Sequence, residues 1–229
     1  MFFPYKDDNP RVLYPYITFG IICFNLFIFL CQFFLSSSEP QLSVNIISKF
    51  GFIPNQFNVL TIFSSIFLHG GIGHFIGNMW FLYIFGDNVE SILGHFKYLF
   101  FFLTCGFLAT IGQYFINPTS TIPIIGASGA IAGILGAYMI SFPKAKVHVF
   151  VMLFVFFTTF IVPAKLVLGI WFLVQLNGGL SDLGLISKGG IAWFAHIGGF
   201  ASGVLLVKKF QNFQDTIFNL QKFWSKHGC

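Results

Sequence analysis

An all-α polytopic membrane protein, built as a bundle of six spanning helices, is the fold class this sequence predicts. Three observations carry that expectation. Only 8% of the 229 residues are charged, where soluble domains run at roughly 25%. Hydrophobic residues make up 56% of the chain, and the mean hydropathy is +0.82. The apolar residues also fall into charge-free runs long enough to cross a hydrocarbon core of about 30 Å. A soluble globule of this size lacks the charges to cover its surface, and disorder needs the opposite balance.

Charges and helix breakers divide the chain. Residues 1–11, MFFPYKDDNPR, hold two acids and no short apolar core, so they read as a cytoplasmic tail rather than a signal peptide. Residues 12–35 carry no charge and form the first span. A polar connection, 36–58, contains SSSEP and Pro54. The second span, 70–86, closes at Asp87–Glu90, and the third, 98–116, stops at Asn117–Pro118. After the uncharged loop 117–125, the fourth span covers 127–142 and ends at Pro143, Lys144 and Lys146. The stretch Val147–Leu176 holds one charge, Lys165, and is too long for one span and too short for two. Pro163 interrupts it. Residues 147–162 therefore read as a cytoplasm-side interfacial or re-entrant piece, and 163–180 as the fifth span. A seven-helix division is the alternative. The sixth span, 190–207, ends at Lys208–Lys209, and 210–229 reads as a cytoplasmic, amphipathic tail. Residues 12–209 would thus form one membrane domain between two tails.

Lys and Arg set the orientation. With six spans, one side holds Lys6, Arg11, Lys97, Lys144, Lys146, Lys165, Lys208, Lys209, Lys222 and Lys226, and the other holds Lys49 and Lys188. Both termini are then cytoplasmic. Seven helices would put the C-terminal lysines outside, against this bias. The net charge of +5 is scattered over segment ends and the tail, so no nucleic-acid face is expected. Cys23, Cys31, Cys105 and Cys229 show no paired spacing and read as structural.

Polar groups are costly inside a spanning helix, so their positions point to function. Gly126-Ala127-Ser128-Gly129 opens the fourth span, with Gly133 and Gly136 continuing a smooth face for close backbone approach. Alone, such a face also serves mere packing. In the sixth span, His196 lies six residues past Gly190, about 9 Å below the outer edge. Gly199 and Gly203 share its helical face. An isolated histidine there suits a structural residue, a proton relay or a metal ligand. Both spans enter from the outside, so their glycine faces can bring the Ser128 hydroxyl to the His196 imidazole as nucleophile and general base. No acid lies at that depth to orient the ring, so a Ser–His dyad is the economical arrangement. His74 and Asn78, four apart in the second span, sit at the same depth and offer donors for an oxyanion. A metal site on His69, His74 and His196 is disfavoured by the lack of acidic or thiolate ligands. Glu90, with Asp87 and Asn88, reads as a structural hydrogen-bonding cap.

HGGIGHFIGNMWFLYIFGDNVE, GASG and AHIGG, in this order, resemble the rhomboid family of intramembrane serine proteases. The resemblance runs from about Tyr14 to about Val207. It implies the six-helix rhomboid bundle, Ser128 as nucleophile, His196 as base, and His74 and Asn78 as oxyanion supports. It implies transmembrane protein substrates, a lipid bilayer setting in the cell membrane with the active site open to the outside, and no cofactor or metal. The family's Trp-Arg pair in the first loop is replaced by Leu60-Thr61. The uncharged segment Phe50–Phe67 suits that family's half-submerged loop, and loop 117–125 and the outer end of the fifth span are candidate gates. Two alternatives stand beside protease activity. One is a rhomboid-fold pseudoprotease that binds membrane helices without cutting them. The other is a small transporter, for which the inverted repeat or intramembrane acid is missing.

Overall fold

The computed structural model describes residues 2–153, 156–183 and 190–211. Most of them are helical: α1 (Tyr16–Ser38), α2 (Pro40–Phe50), α3 (Val59–Ser64), α4 (Ile72–Leu93), α5 (His95–Ile116), α6 (Ser128–Ser141), α7 (Ala164–Leu183) and α8 (Trp193–Phe210). Each expected span is overlapped by one of these helices. By length and hydropathy, α1, α5 and α7 could each cross a membrane unaided. Val59–Phe67 and α4, bent by 90° at their junction, could form one further, broken crossing. The tail 212–229 lies outside the described residues.

The expectation of an all-α chain is corrected at one end of the bundle. Residues 147–162, expected as an interfacial or re-entrant piece, are extended rather than helical at their described positions. They form an antiparallel hairpin of β2 (Lys146–Leu153) and β3 (Phe156–Pro163). The N-terminal tail joins it as β1 (Phe2–Asp7), giving the sheet order β1-β2-β3. The cause is visible in VHVFV: Val147 and Val149 are buried while His148 and Phe150 alternate outward. That period of two belongs to a pleated strand, and β-branched and aromatic residues favour it. Pro163 ends β3, and α7 begins at the next residue.

A second correction concerns the acids at 87–90, which were expected to close the second span. α4 runs on through them to Leu93 because they are buried and paired. Asp87 accepts from Arg11 Nε at 2.9 Å. The Glu90 carboxylate accepts from the backbone N–H groups of Ile17 (3.0 Å) and Thr18 (2.8 Å), from the Thr18 hydroxyl (2.7 Å), and pairs with His95 Nδ1 (2.6 Å). The Ile17 and Thr18 N–H groups are orphan donors at the start of α1, so Glu90 caps a neighbouring helix.

Burial runs inside out. α1 turns Thr18, Ile21, Asn25, Phe29 and Gln32 inward at helical spacing, and leaves Phe24, Phe27, Leu30 and Phe34 exposed. That is the expected surface of a helix in lipid. At the centre stands α6, whose residues Gly129–Tyr138 are all buried. Its partners approach closely because of its glycines. A Cβ at Gly199 would collide with the Gly129 carbonyl oxygen, one at Gly203 with that of Gly133, and one at Gly136 with the Phe200 carbonyl of α8. The matched faces expected from sequence therefore meet, with α6 and α8 parallel. α5 fills the other side, with Ala109 against Gly129 and Cys105 against Gly133.

Candidate active site

Ser128 is the first residue of α6, and no side chain among the described residues caps that helix start, which leaves its first N–H groups without an intrahelical partner. The turn before it needs Gly126, whose φ is +118°. A Cβ there would also lie 2.7 Å from His74 Nε2. Gly126 is held in place by its N–H, which donates to the Ser65 carbonyl at 2.9 Å. Segment 52–67 is further tied to loop 117–126 by the Phe52–Ile124 bridge and by Asn55 N–H to the Ser120 carbonyl. The uncharged segment Phe50–Phe67 thus forms the wall that fixes the serine turn. Leu60 faces outward from it, 77% exposed.

His196 is in the first turn of α8. The start of that helix is capped from α5: Gln113 Oε1 accepts from the N–H groups of Phe194 (3.0 Å) and Ala195 (3.2 Å). With the α6–α8 glycine contacts fixing the spacing, His196 Nε2 stands 2.8 Å from Ser128 Oγ. Trp171 and Trp193 flank the imidazole, with ring centroids at 6.1 and 6.4 Å.

His74 and Asn78 come from the first turns of α4, one turn apart. Gly70 N–H approaches His74 Nδ1 at 3.4 Å, so the ring proton falls to Nε2, beside Gly126. Asn78 is buried, and its Nδ2 has no hydrogen-bond partner among the described residues. That nitrogen points at the Gly126 turn, 3.6 Å from where a Cβ would sit. Two donors and the free end of α6 therefore converge beside the serine.

These groups line one cavity of about 950 Å³. Loops 68–71, 117–125 and 190–193 border it, at the end of the bundle opposite the sheet. The structure brings together Ser128, His196, His74 and Asn78, with Gly126, Gly129, Gly133, Gly199 and Gly203 shaping the contacts. His69 stays beside His74, ring centroids 5.3 Å apart. It is buried, with neither ring nitrogen paired among the described residues.

One site residue was not anticipated. The sequence offered no acid to orient the imidazole, yet His196 Nδ1 stands 2.8 Å from Gln175 Oε1 of α7. A glutamine belongs to no local motif here. The available signal was its polarity within the fifth span.

A model of the Rhomboid domain family matches residues 56–212. The chain is 34% identical over 74 residues to "Putative rhomboid protease YdcA" of Bacillus subtilis, covering 32% of this chain and 37% of that protein. It is 29% identical over 135 residues to "Rhomboid protease GluP" of the same organism, covering 59% and 25%. It is 34% identical over 140 residues to "RHOMBOID-like protein 4" of Arabidopsis thaliana, covering 61% and 31%. These matches span only a quarter to just over a third of each relative's length. The chain belongs to the rhomboid family, and with its apolar helices it is a multi-pass integral membrane protein.

Proposed function

We propose that this rhomboid-family protein is an intramembrane serine endopeptidase that cuts transmembrane segments of other membrane proteins. The observation that carries the proposal is the 2.8 Å approach of Ser128 Oγ to His196 Nε2, inside a cavity that also holds Asn78, whose Nδ2 has no partner among the described residues. In the proposed cycle, His196 Nε2 takes the hydroxyl proton as Ser128 Oγ bonds to a peptide carbonyl carbon. The oxyanion is held by Asn78 Nδ2, His74 Nε2–H and the Ser128 N–H. His196 returns its proton to the leaving amine as the C–N bond breaks. A water molecule, deprotonated by the same nitrogen, then hydrolyses the ester and restores the serine.

Depth supports an intramembrane reaction. The 14 residues of α6 rise about 21 Å, short of a hydrocarbon core of ~30 Å. A helix whose sheet-side end lies at one membrane surface therefore starts Ser128 below the other. Six spans, a cytoplasmic sheet and a cavity open to the outside accord with the lysine bias. A substrate helix hides its carbonyls in internal hydrogen bonds, so segments with helix-weakening residues are the expected substrates.

The test is cleavage of a reporter transmembrane substrate in liposomes. Wild type should cut, and Ser128→Ala and His196→Ala should not. A fluorophosphonate probe should label Ser128 and fail on His196→Ala. Cleavage that persists in Ser128→Ala would overturn the proposal. Tight binding of the substrate without any cutting by wild type would mark a pseudoprotease instead.

A further inference from the structure

A neutral imidazole has one N–H, and only its other nitrogen can act as a base. For His196 to take a proton from Ser128, Nε2 must present a lone pair and Nδ1 must hold the hydrogen. Free imidazole does not enforce this choice. In a Ser–His–Asp triad the acid enforces it, and here the partner of Nδ1 is an amide.

Gln175 can do this only if its oxygen, not its nitrogen, faces the ring. The structure supplies an independent reason. The other end of the amide, Nε2, lies 3.2 Å from the backbone carbonyl oxygen of Trp171, one turn back in α7. A carbonyl can only accept, so the group facing it must be the NH₂. Oε1 then faces His196 Nδ1 at 2.8 Å, and Nδ1 must be the donor. Gln175 is buried, so both ends of the amide are committed where an unmade hydrogen bond is expensive. Orientation passes in one direction: Trp171 carbonyl, Gln175 amide, His196 tautomer, Ser128 hydroxyl.

We propose that Gln175 is a positioning residue that holds His196 in its Nδ1–H tautomer, with the Nε2 lone pair directed at Ser128. It fills the geometric place of a triad acid without its charge. Its oxygen keeps accepting from Nδ1–H after His196 gains its second proton, so the ring stays in register for the return transfer to the leaving amine. The residue comes from α7, so this helix must stand in place for the dyad to be competent. The inference rests on the Ser128–His196 assignment above.

Three variants test it in liposomes with the reporter substrate: Gln175→Leu, which keeps bulk and loses the acceptor; Gln175→Glu, which keeps an acceptor; and Ser128→Ala as blank. Gln175→Leu should lower kcat by about 10²-fold, less than the roughly 10⁴-fold seen where a partner enforces the wrong tautomer, with KM unchanged. Gln175→Glu should restore most of kcat. Wild-type kcat in Gln175→Leu, a change confined to KM, or equal losses in the two variants would overturn the proposal. A second readout needs no turnover. In ¹⁵N-histidine spectra, wild type and Ser128→Ala should show His196 as the Nδ1–H form, and Gln175→Leu should show a mixture. An Nε2–H form in wild type would overturn the proposal. Absence of Ser128-dependent labelling in wild type would instead sink the dyad assignment and leave the tautomer question to the spectra.

Discussion

The carbonyl oxygen of Gly133 in α6 occupies the space that a side chain at Gly203 in α8 would need. The contact is backbone against backbone, so no rotamer change can relieve it. Gly203→Ala should therefore force the two helices apart, at a cost at or above the ~3 kcal/mol upper end of ordinary overpacking. It should also lengthen the Ser128–His196 approach, which lies on the same interface five residues before Gly133 and seven before Gly203. Gly20→Ala in α1, where nothing lies within 4 Å of the added methyl, is the matched control. It should be neutral or slightly stabilising, because alanine favours a helix by up to ~1 kcal/mol. Thermal melting in detergent separates the two. Equal melting points would refute the role given to the interface.

Asn78 Nδ2 is aimed at the serine turn and has no hydrogen-bond partner among the described residues. If it serves an oxyanion, Asn78→Ala should lower kcat by about 10²–10³-fold while leaving the melting temperature near wild type, since no hydrogen bond from Nδ2 to the described residues is lost. A large fall in stability with unchanged turnover of the folded fraction would assign it a structural role instead.

Gly126→Ala should be worse than loss of one donor. It combines an alanine at φ +118° with a methyl group pressed on the His74 ring. The left-handed strain alone is of order 1–3 kcal/mol. Displacing His74 should add a loss of kcat, read by comparing Gly126→Ala with His74→Ala in the reporter assay. Wild-type kinetics in Gly126→Ala would show that the tight turn is dispensable.

Polarity in a charge-poor chain made much of this site legible. Ser128, His196, His74 and Asn78 stand out because each interrupts an apolar run, and the four-residue glycine spacing shared by two segments hints that they meet. Gln175 and Gln113 escaped notice for a physical reason: each acts across helices, on His196 and on the start of α8, and neither has a local pattern. The hairpin was missed because VHVFVMLFVFFTTFIVP is apolar enough to mimic a membrane segment, and hydropathy hides its period of two. The acids Asp87 and Glu90 looked like a helix stop because their partners, Arg11, Thr18 and His95, lie outside that segment.

Glu90 gives a stability prediction. Its side chain is fully buried and serves three donors of α1 and His95. Glu90→Ala leaves those donors unpaired in the interior, a loss of about 3–5 kcal/mol. Glu90→Gln keeps acceptor oxygen for part of the set and should lose less. Melting curves that rank wild type above Glu90→Gln above Glu90→Ala fit the capping role. A reporter assay in which Glu90→Gln folds normally yet fails to cut would contradict it.

The N-terminal strand should respond to pH through Asp7. Its carboxyl accepts from the Tyr138 hydroxyl and from Asn88 Nδ2, and burial raises its pKa from 3.8 to about 6, against the lowering effect of the Tyr138 hydrogen bond. The neighbouring carboxylates Asp87 and Asp8 push in the same direction as burial. A folded-state pKa above the unfolded one means that docking favours the protonated acid. The stabilisation is complete below about pH 3.8 and is lost as pH rises through about 6. Amide exchange of Phe3–Asp7 should therefore be slowest at low pH, after correction for the intrinsic rate, and should quicken between about pH 4 and 7. Asp7→Asn, which keeps an oxygen for Tyr138 and cannot ionise, should flatten that dependence. A strand that stays equally protected in wild type across this range, or an Asp7→Asn protein that keeps the wild-type profile, would show that another group governs its docking.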